Sequence, residues 1–458
     1  MGDAFDVIVV GARCAGSPLA TLLSRQGVRV ALVERATFPR DTLSSHIFQA
    51  PGINLLARLG VLERALETGA VCTTGLDFRQ NDFHTKTKIP LRPGDAGAFM
   101  SVRRFMLDAI LADAAAEAGA EVMAGTNVTG LVHQDGRVRG VCVVSGGIER
   151  RLSARIVVGA DGRNSTVARL VGARKYHVVP SERFAYWGFF EGVAVGPEPE
   201  LVFHHWDGRA VIGCFADSGL YQVVLVPDNR FLPAFRADLP GAFMEQAFAC
   251  APIARKLEGS ERIGKLFGIV RFESFFRESA GPGWALVGDA GHFKDPTPGQ
   301  GMTDAFRQAA ALAPVIAEAI RRSDEELDDG VAAWARWRDW DAFEHHWLAC
   351  DLGAAGAMPA VVSETMRRMD RRAQFGGIAE IFQHRALPSR VITPPRLLST
   401  AASMLVRSGC DRRIVLRSVG ELVATDVRRK QLRRRPVFVD QAAHADAGET
   451  EVLEEVAA

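Results

Sequence analysis

What this chain lacks narrows the choices first. In 458 residues, 48% of them hydrophobic, no apolar run reaches the roughly 20 residues that a membrane-spanning helix needs. Charge of either sign is not in excess: 55 Lys and Arg face 54 Asp and Glu, a net charge of +1. No overall bias therefore draws the chain to nucleic acid or to a membrane surface. The seven cysteines form no CxxC pair and no metal-like spacing, so a reducing compartment is expected. Cys14 is read as a small buried thiol. His345-His346 has no acidic partner at ligand spacing, so no metal is expected. Internal repeats are absent. A strand starts at Asp6, which leaves no room for a signal peptide, and a cytoplasmic location is expected. What remains is enough chain for a large core and two intimately joined domains with a helical C-terminal part.

Three segments carry the chemistry. Asp6–Val10 is a short β-branched run, read as a buried parallel strand. Gly11-Ala-Arg-Cys-Ala-Gly16 follows, then a helical run from Ser17 and a second strand, Val28–Val33, that ends at Glu34. This is a βαβ unit in which a pyrophosphate rests on a helix N-terminus and Glu34 binds ribose hydroxyls. Its middle glycine is replaced by Arg13, which either turns away or reaches a phosphate of the cofactor or of a reductant. The second segment is a further strand, Ile156–Val158, which breaks at Gly159 and exposes Asp161. The third segment is Trp284–Gln308, WALVGDAGHFKDPTPGQGMTDAFRQ. Here a strand ends in the turn Gly288-Asp289, and Pro296, Pro298, Gly299 and Gly301 lead into a helix near Met302. Such a loop feeds backbone N–H groups into a helix N-terminus. Beside a dinucleotide motif, it points to flavin.

Together these segments resemble the class A flavoprotein monooxygenases and their relatives, the flavin-dependent halogenases and geranylgeranyl-reductase-like enzymes, over about residues 5–345. The chain departs from the family at Arg13, at Ala168 where an Arg is usual, and in GQGMTDAF, which is shorter than GQGxNxGxxDA. The resemblance implies an α/β fold: a Rossmann-like FAD-binding domain of the aromatic hydroxylase type, an inserted antiparallel-sheet substrate domain and C-terminal helices. The expected FAD-binding set is Gly11, Ala12, Arg13, Gly16, Glu34, Arg35, Ser45, Arg104, Val128, Asp161, Asp289, Pro296, Gly299, Gln300, Gly301 and Met302. Arg104 is either a flavin contact or a surface arginine. His46 is either a proton donor or hydrogen-bond partner at the flavin edge, or a turn-stabilising histidine. Lys294 either stabilises an anionic intermediate or pairs with Asp295. The amides after Pro296 would meet the flavin edge where negative charge grows on reduction.

The expected organisation is FAD-binding sequence over 1–175, an antiparallel-sheet domain over 176–275, a return to the FAD domain over 276–330, helices over 331–440 and a disordered acidic tail over 441–458. Within the first part, helices are expected at Pro51–Glu67 and Arg104–Ala118, and a strand pair over Glu121–Ile156 that turns at Gln134–Gly136. In the middle sheet, alternation puts Trp187 and Phe189 on one face, and His204 and Trp206 likewise share a face. These four are the substrate-binding candidates. Trp334, Trp337, Trp340 and Trp347 form a stripe read as core. The basic run Arg428–Arg435 is read as a solvated helix end.

The expected activity is NAD(P)H-dependent FAD monooxygenation of an apolar or aromatic small molecule through a C4a-hydroperoxide. One dinucleotide fingerprint suits a family in which NAD(P)H visits transiently. The alternative is a geranylgeranyl-reductase-like enzyme that saturates isoprenoid double bonds. A halogenase is disfavoured because Trp-x-Trp-x-Ile-Pro is absent, and a non-catalytic flavin-binding protein is the remaining class.

Overall fold

The computed structural model describes residues 4–40, 44, 46–407 and 410–439. Ser45 and the expected acidic tail over 441–458 lie outside them. The N-terminal strands do what their composition dictates. Val7–Val10, Val30–Glu34 and Ile156–Gly159 are buried at every position, because helices cover one face of their sheet and a second sheet covers the other. The six-stranded sheet runs Ala280–Gly281, Trp284–Leu286, Ile156–Gly159, Val7–Val10, Val30–Glu34, Glu121–Ala124, parallel except at its first pair. Val7, Val9, Val30 and Leu32 pack against helices Gly16–Ser24, Arg104–Glu117 and Gly301–Ala319. Ile8, Val10, Ala31 and Val33 pack against Val128, Val141 and Val143 of a three-stranded antiparallel sheet.

That second sheet corrects one expectation. In place of a strand pair over Glu121–Ile156, Glu121–Ala124 joins the parallel sheet, Gly125 turns the chain, and Thr126–Gln134, Arg137–Ser145 and Ile148–Ser153 form a meander. The expected turn is present, with left-handed Asp135 and Gly136. The expected helix over Pro51–Glu67 is two, Ala50–Arg58 and Leu62–Glu67.

The expected antiparallel sheet is present as Ala185–Glu191, Glu200–Trp206, Arg209–Phe215 and Tyr221–Leu225, within a seven-stranded sheet. Glu261–Ile269 closes one edge, and Gly75–Gln80 with Phe83–Lys88 closes the other. Gly75–Gln80 pairs parallel with Glu200–Trp206. Helices Leu239–Phe248 and Ala251–Leu257 cover one face. The other face packs on Ile47 and Phe99 and on helices Ala360–Asp370 and Gly376–Phe382. A capping box at Ser323 and Glu326 starts the long helix Asp324–Gly353. Its tryptophan stripe is core at Trp334, 3% exposed, and packed at Trp337 and Trp347, but Trp340 turns to solvent at 52% exposed. Among the described residues no helix is long and apolar enough to cross a membrane.

Candidate active site

The site assembles where three loops leave the parallel sheet. Gly11 has φ +102°, and a Cβ there would lie 2.5 Å from the Ala160 carbonyl oxygen, so the first loop nests against the loop that begins at Ala160. Gly288, at φ +64°, lets the third loop sit between Ala15 and Ala305 at the starts of two helices. Neither helix, Gly16–Ser24 or Gly301–Ala319, carries a side-chain cap. Gly301–Ala319 offers first-turn amides toward an anion, whereas in Gly16–Ser24 the Ser17 N–H is bonded to the Arg13 carbonyl and Pro18 has none. Glu34 accepts hydrogen bonds from the Ala12 N–H at 3.0 Å and the Ala36 N–H at 2.9 Å, which fix its carboxylate at the loop. Arg13 lies over this carboxylate, 3.8 Å from Glu34 and 3.4 Å from Asp108. Arg35 is exposed on the rim. Val128 packs its side chain into the core behind the strands.

His46 is held in a single protonation pattern. Its Nδ1 accepts the backbone N–H of Arg104 at 2.9 Å, so the ring proton sits on Nε2, which makes no hydrogen bond among the described residues. Burial, and then the charges of Arg104 and Arg103, push its pKa down to about 3. The backbone is left-handed at φ +57°, and the ring lies 5.7 Å from Phe189 and 6.3 Å from Trp187. The geometry therefore makes His46 a neutral hydrogen-bond donor. Arg104 turns its guanidinium onto Asp108, one helical turn on, at 2.7 and 2.9 Å.

The third loop distributes its side chains in a way adjacency does not reveal. Lys294 pairs with Asp304 at 2.7 Å and donates to Gln300 at 2.7 Å. It does not pair with Asp295, because neighbours on extended chain point to opposite sides. Asp295 instead accepts from Thr297 and Ser181. Burial alone would raise the Asp304 carboxyl, but Lys294 and His384 outweigh it and hold it well below the usual range. Gln300 also reaches the Ile381 and Phe382 carbonyls at 3.1 and 3.0 Å, bracing the loop on the C-terminal helices. Gly299 donates its N–H to the Pro296 carbonyl at 2.8 Å, Met302 is buried, and Gly301 faces open space. Asp161 uses its carboxylate to cap the helix Thr166–Leu170, accepting from Ser165 and Thr166 at 2.5 and 2.6 Å. Only its backbone adjoins Gly11.

Two charged groups of these loops are poorly matched. The Asp289 carboxylate has no hydrogen bond or ion pair among the described residues, and burial raises its pKa to about 6 against the pull of Arg163 and Arg104. Arg163 was not singled out from sequence. Its guanidinium stacks 4.9 Å over Phe293 and leaves Nη1 buried without a partner. An unpartnered carboxylate, two uncapped helix starts and a glycine cradle fit a bound dinucleotide with sugar hydroxyls and phosphates.

A narrow apolar cavity adjoins this cradle, lined by Ile47, Gln49, Phe99, Leu201, Phe203, Ile212, Phe382 and the loop residues Pro298 and Gly299. Of the four aromatic candidates, Trp187 and Phe189 lie on this inner face. His204 and Trp206 share the opposite face: His204 is bonded to Asp77, and Trp206 packs with the covering helices.

Comparison with known proteins agrees with this geometry. The FAD binding domain family matches residues 4–207. The chain is 30% identical to the 6-methylpretetramide 4-monooxygenase of Streptomyces rimosus, over 72% of this chain and 80% of that one. It is 27% identical to the digeranylgeranylglycerophospholipid reductase of Methanosarcina acetivorans, over 74% and 82%. Its fold is similar to that of a flavin-dependent brominase, with a TM-score of 0.71 at 19% identity, covering 87% of this chain and 98% of that one. FAD is thus the cofactor, and NAD(P)H is the co-substrate typical of such monooxygenases. The chain belongs to the superfamily of class A flavoprotein monooxygenases and geranylgeranyl-reductase-like enzymes, and is an FAD-dependent oxidoreductase.

Proposed function

We propose that this chain is an NAD(P)H-dependent monooxygenase that inserts one oxygen atom into an apolar or aromatic small molecule. The observation that carries this reading is the narrow apolar cavity running from the aromatic inner face of the middle sheet to Pro298 and Gly299. Its lining is apolar and aromatic, the surroundings that suit an apolar ring. Bound, reduced FAD supplies the activation of dioxygen. The chain's own part is to bind and orient. Glu34 receives ribose hydroxyls, Asp289 those of the ribityl chain, and Arg13 balances pyrophosphate charge. The first-turn amides of Gly301–Ala319 stabilise negative charge at the ring edge. His46 donates from Nε2 and carries no proton away, because its Nδ1 is already engaged. Lys294 secures the loop through Asp304.

The second reading is reduction of isoprenoid double bonds, favoured by the reductase relative. It calls for a long tunnel lined by the helices after residue 330, whereas among the cavity-lining residues only Phe382 comes from them. The test is turnover of the FAD-loaded protein with NADH or NADPH and a panel of aromatic compounds under isotope-labelled dioxygen. Uptake of one labelled oxygen atom into product is expected. Saturation of a polyprenyl chain under anaerobic conditions, with no oxygen insertion in air, would replace this reading by the second.

A further inference from the structure

On the outer face of the seven-stranded sheet lies a side-chain cluster that the flavin site does not use. His204 on Glu200–Trp206 and His84 on Phe83–Lys88 both stand opposite Arg79 of the strand between them. Asp77 is two residues back from Arg79, on the same face. These diagonal positions are within reach of long side chains. Both imidazole Nε2 atoms end 2.7 Å from one oxygen, Asp77 Oδ1. All three ligand atoms lie within 4.8 Å of one another. The other oxygen, Oδ2, is buried with no hydrogen bond of normal geometry, and among the described residues it meets the Lys86 ammonium at 3.0 Å.

We propose that Asp77, His84 and His204 form a binding site for one divalent transition-metal ion of the zinc class. Two imidazole nitrogens and a carboxylate oxygen are the donor set that such ions take, and three protein ligands leave a position for water. The surroundings suit the role. The far nitrogen of His204, Nδ1, lies 3.6 Å from Cys250 Sγ, which fixes the ring and directs Nε2 to the site. Lys86 also holds Glu200 at 2.9 Å, so it keeps a counter-ion when a metal takes the Asp77 charge. Asp77 and His204 are buried, whereas the His84 side chain is 48% exposed and gives the ion its way in. The ion would fasten the edge strand Phe83–Lys88 to the sheet, on the face opposite Trp187 and Phe189.

The test uses the full, tag-free, FAD-loaded chain after chelator treatment, titrated with zinc by calorimetry, with metal content read by mass spectrometry after buffer exchange. One zinc per chain is expected, with a rise in Tm. The His84→Ala variant is the decisive one, because an edge-strand, half-exposed residue can be truncated without emptying the core. It is expected to weaken zinc binding by at least about tenfold and to abolish the zinc-dependent rise in Tm, with FAD content unchanged. Two results would overturn the site: no saturable uptake near one equivalent, or uptake that His84→Ala and His204→Gln both leave intact. Either would make the cluster a hydrogen-bonded carboxylate only.

Discussion

Asp289 presents a carboxylate with no hydrogen bond or ion pair among the described residues and a pKa raised to about 6 by burial. If it accepts bonds from ribityl hydroxyls, truncation removes charge-assisted bonds worth about 1.5–3 kcal/mol. Asp289→Ala is therefore expected to weaken FAD about 10- to 100-fold, read by quenching of flavin fluorescence. In the parent protein, affinity should also fall as pH drops through about 6, since the protonated acid accepts less well; Asp289→Asn should lose that dependence. Burial shifts a histidine the other way, downward. His46, His205 and His346 are each pushed down to about 3, chiefly by burial, while an unfolded chain titrates them near 6.5. Below 6.5 the unfolded state binds protons that the folded state refuses. Stability is thus whole above about 6.5 and is lost as pH falls toward 3, by up to about 1.4 kcal/mol per pH unit for each ring. A Tm that stayed flat between pH 7 and pH 5 would contradict this.

The helix Gly301–Ala319 depends on the buried pair Lys294–Asp304 at its first turn. Removing Lys294 takes the ammonium from a buried carboxylate that keeps the His384 imidazole at 2.6 Å, a loss of up to about 3–5 kcal/mol. Lys294→Met should lower the denaturation midpoint strongly, and the double change Lys294→Met with Asp304→Leu should restore much of it. If the double variant were as unstable as the single one, the pair would not be the cause. Much of this element's setting was legible in the sequence. The all-apolar β-branched runs gave the parallel strands, and the spacing of Glu34, Asp161 and Asp289 behind glycines gave the loop positions. Sequence neighbours misled where the loop is extended, as with Lys294 and Asp295. Alternation correctly paired Trp187 with Phe189 and His204 with Trp206. It could not say that the two pairs face opposite ways, because that is set by what covers each face. The hairpin Gly75–Lys88 was missed because its partner strand lies in a distant part of the chain.

At the scale of the molecule, the middle sheet and the C-terminal helices are joined through Arg183. Its side chain is wholly buried, with donors on the carbonyls of Ala354, Val226 and Gly356 and an ion pair to Asp228 at 3.2 Å. Arg183→Met would take the arginine donors from the Ala354 and Gly356 carbonyls, while Val226 keeps the Ala210 N–H and Asp228 keeps the Gly356 N–H, and a loss of roughly 1–3 kcal/mol is expected in denaturant unfolding. A change under 1 kcal/mol would show that the two parts are held elsewhere.

The parallel pairing of Gly75–Gln80 with Glu200–Trp206 also sets a schedule for the nascent chain. The hairpin leaves the ribosome well before its neighbour has been synthesised, and at roughly 5–20 residues per second it waits for several seconds. During that interval an unpaired strand edge and the apolar side chains of Leu76 and Phe78 are open to other chains. Translation stopped at Pro199 is expected to yield pelleted protein or chaperone-bound chains, and the hazard passes only once Trp206 has emerged.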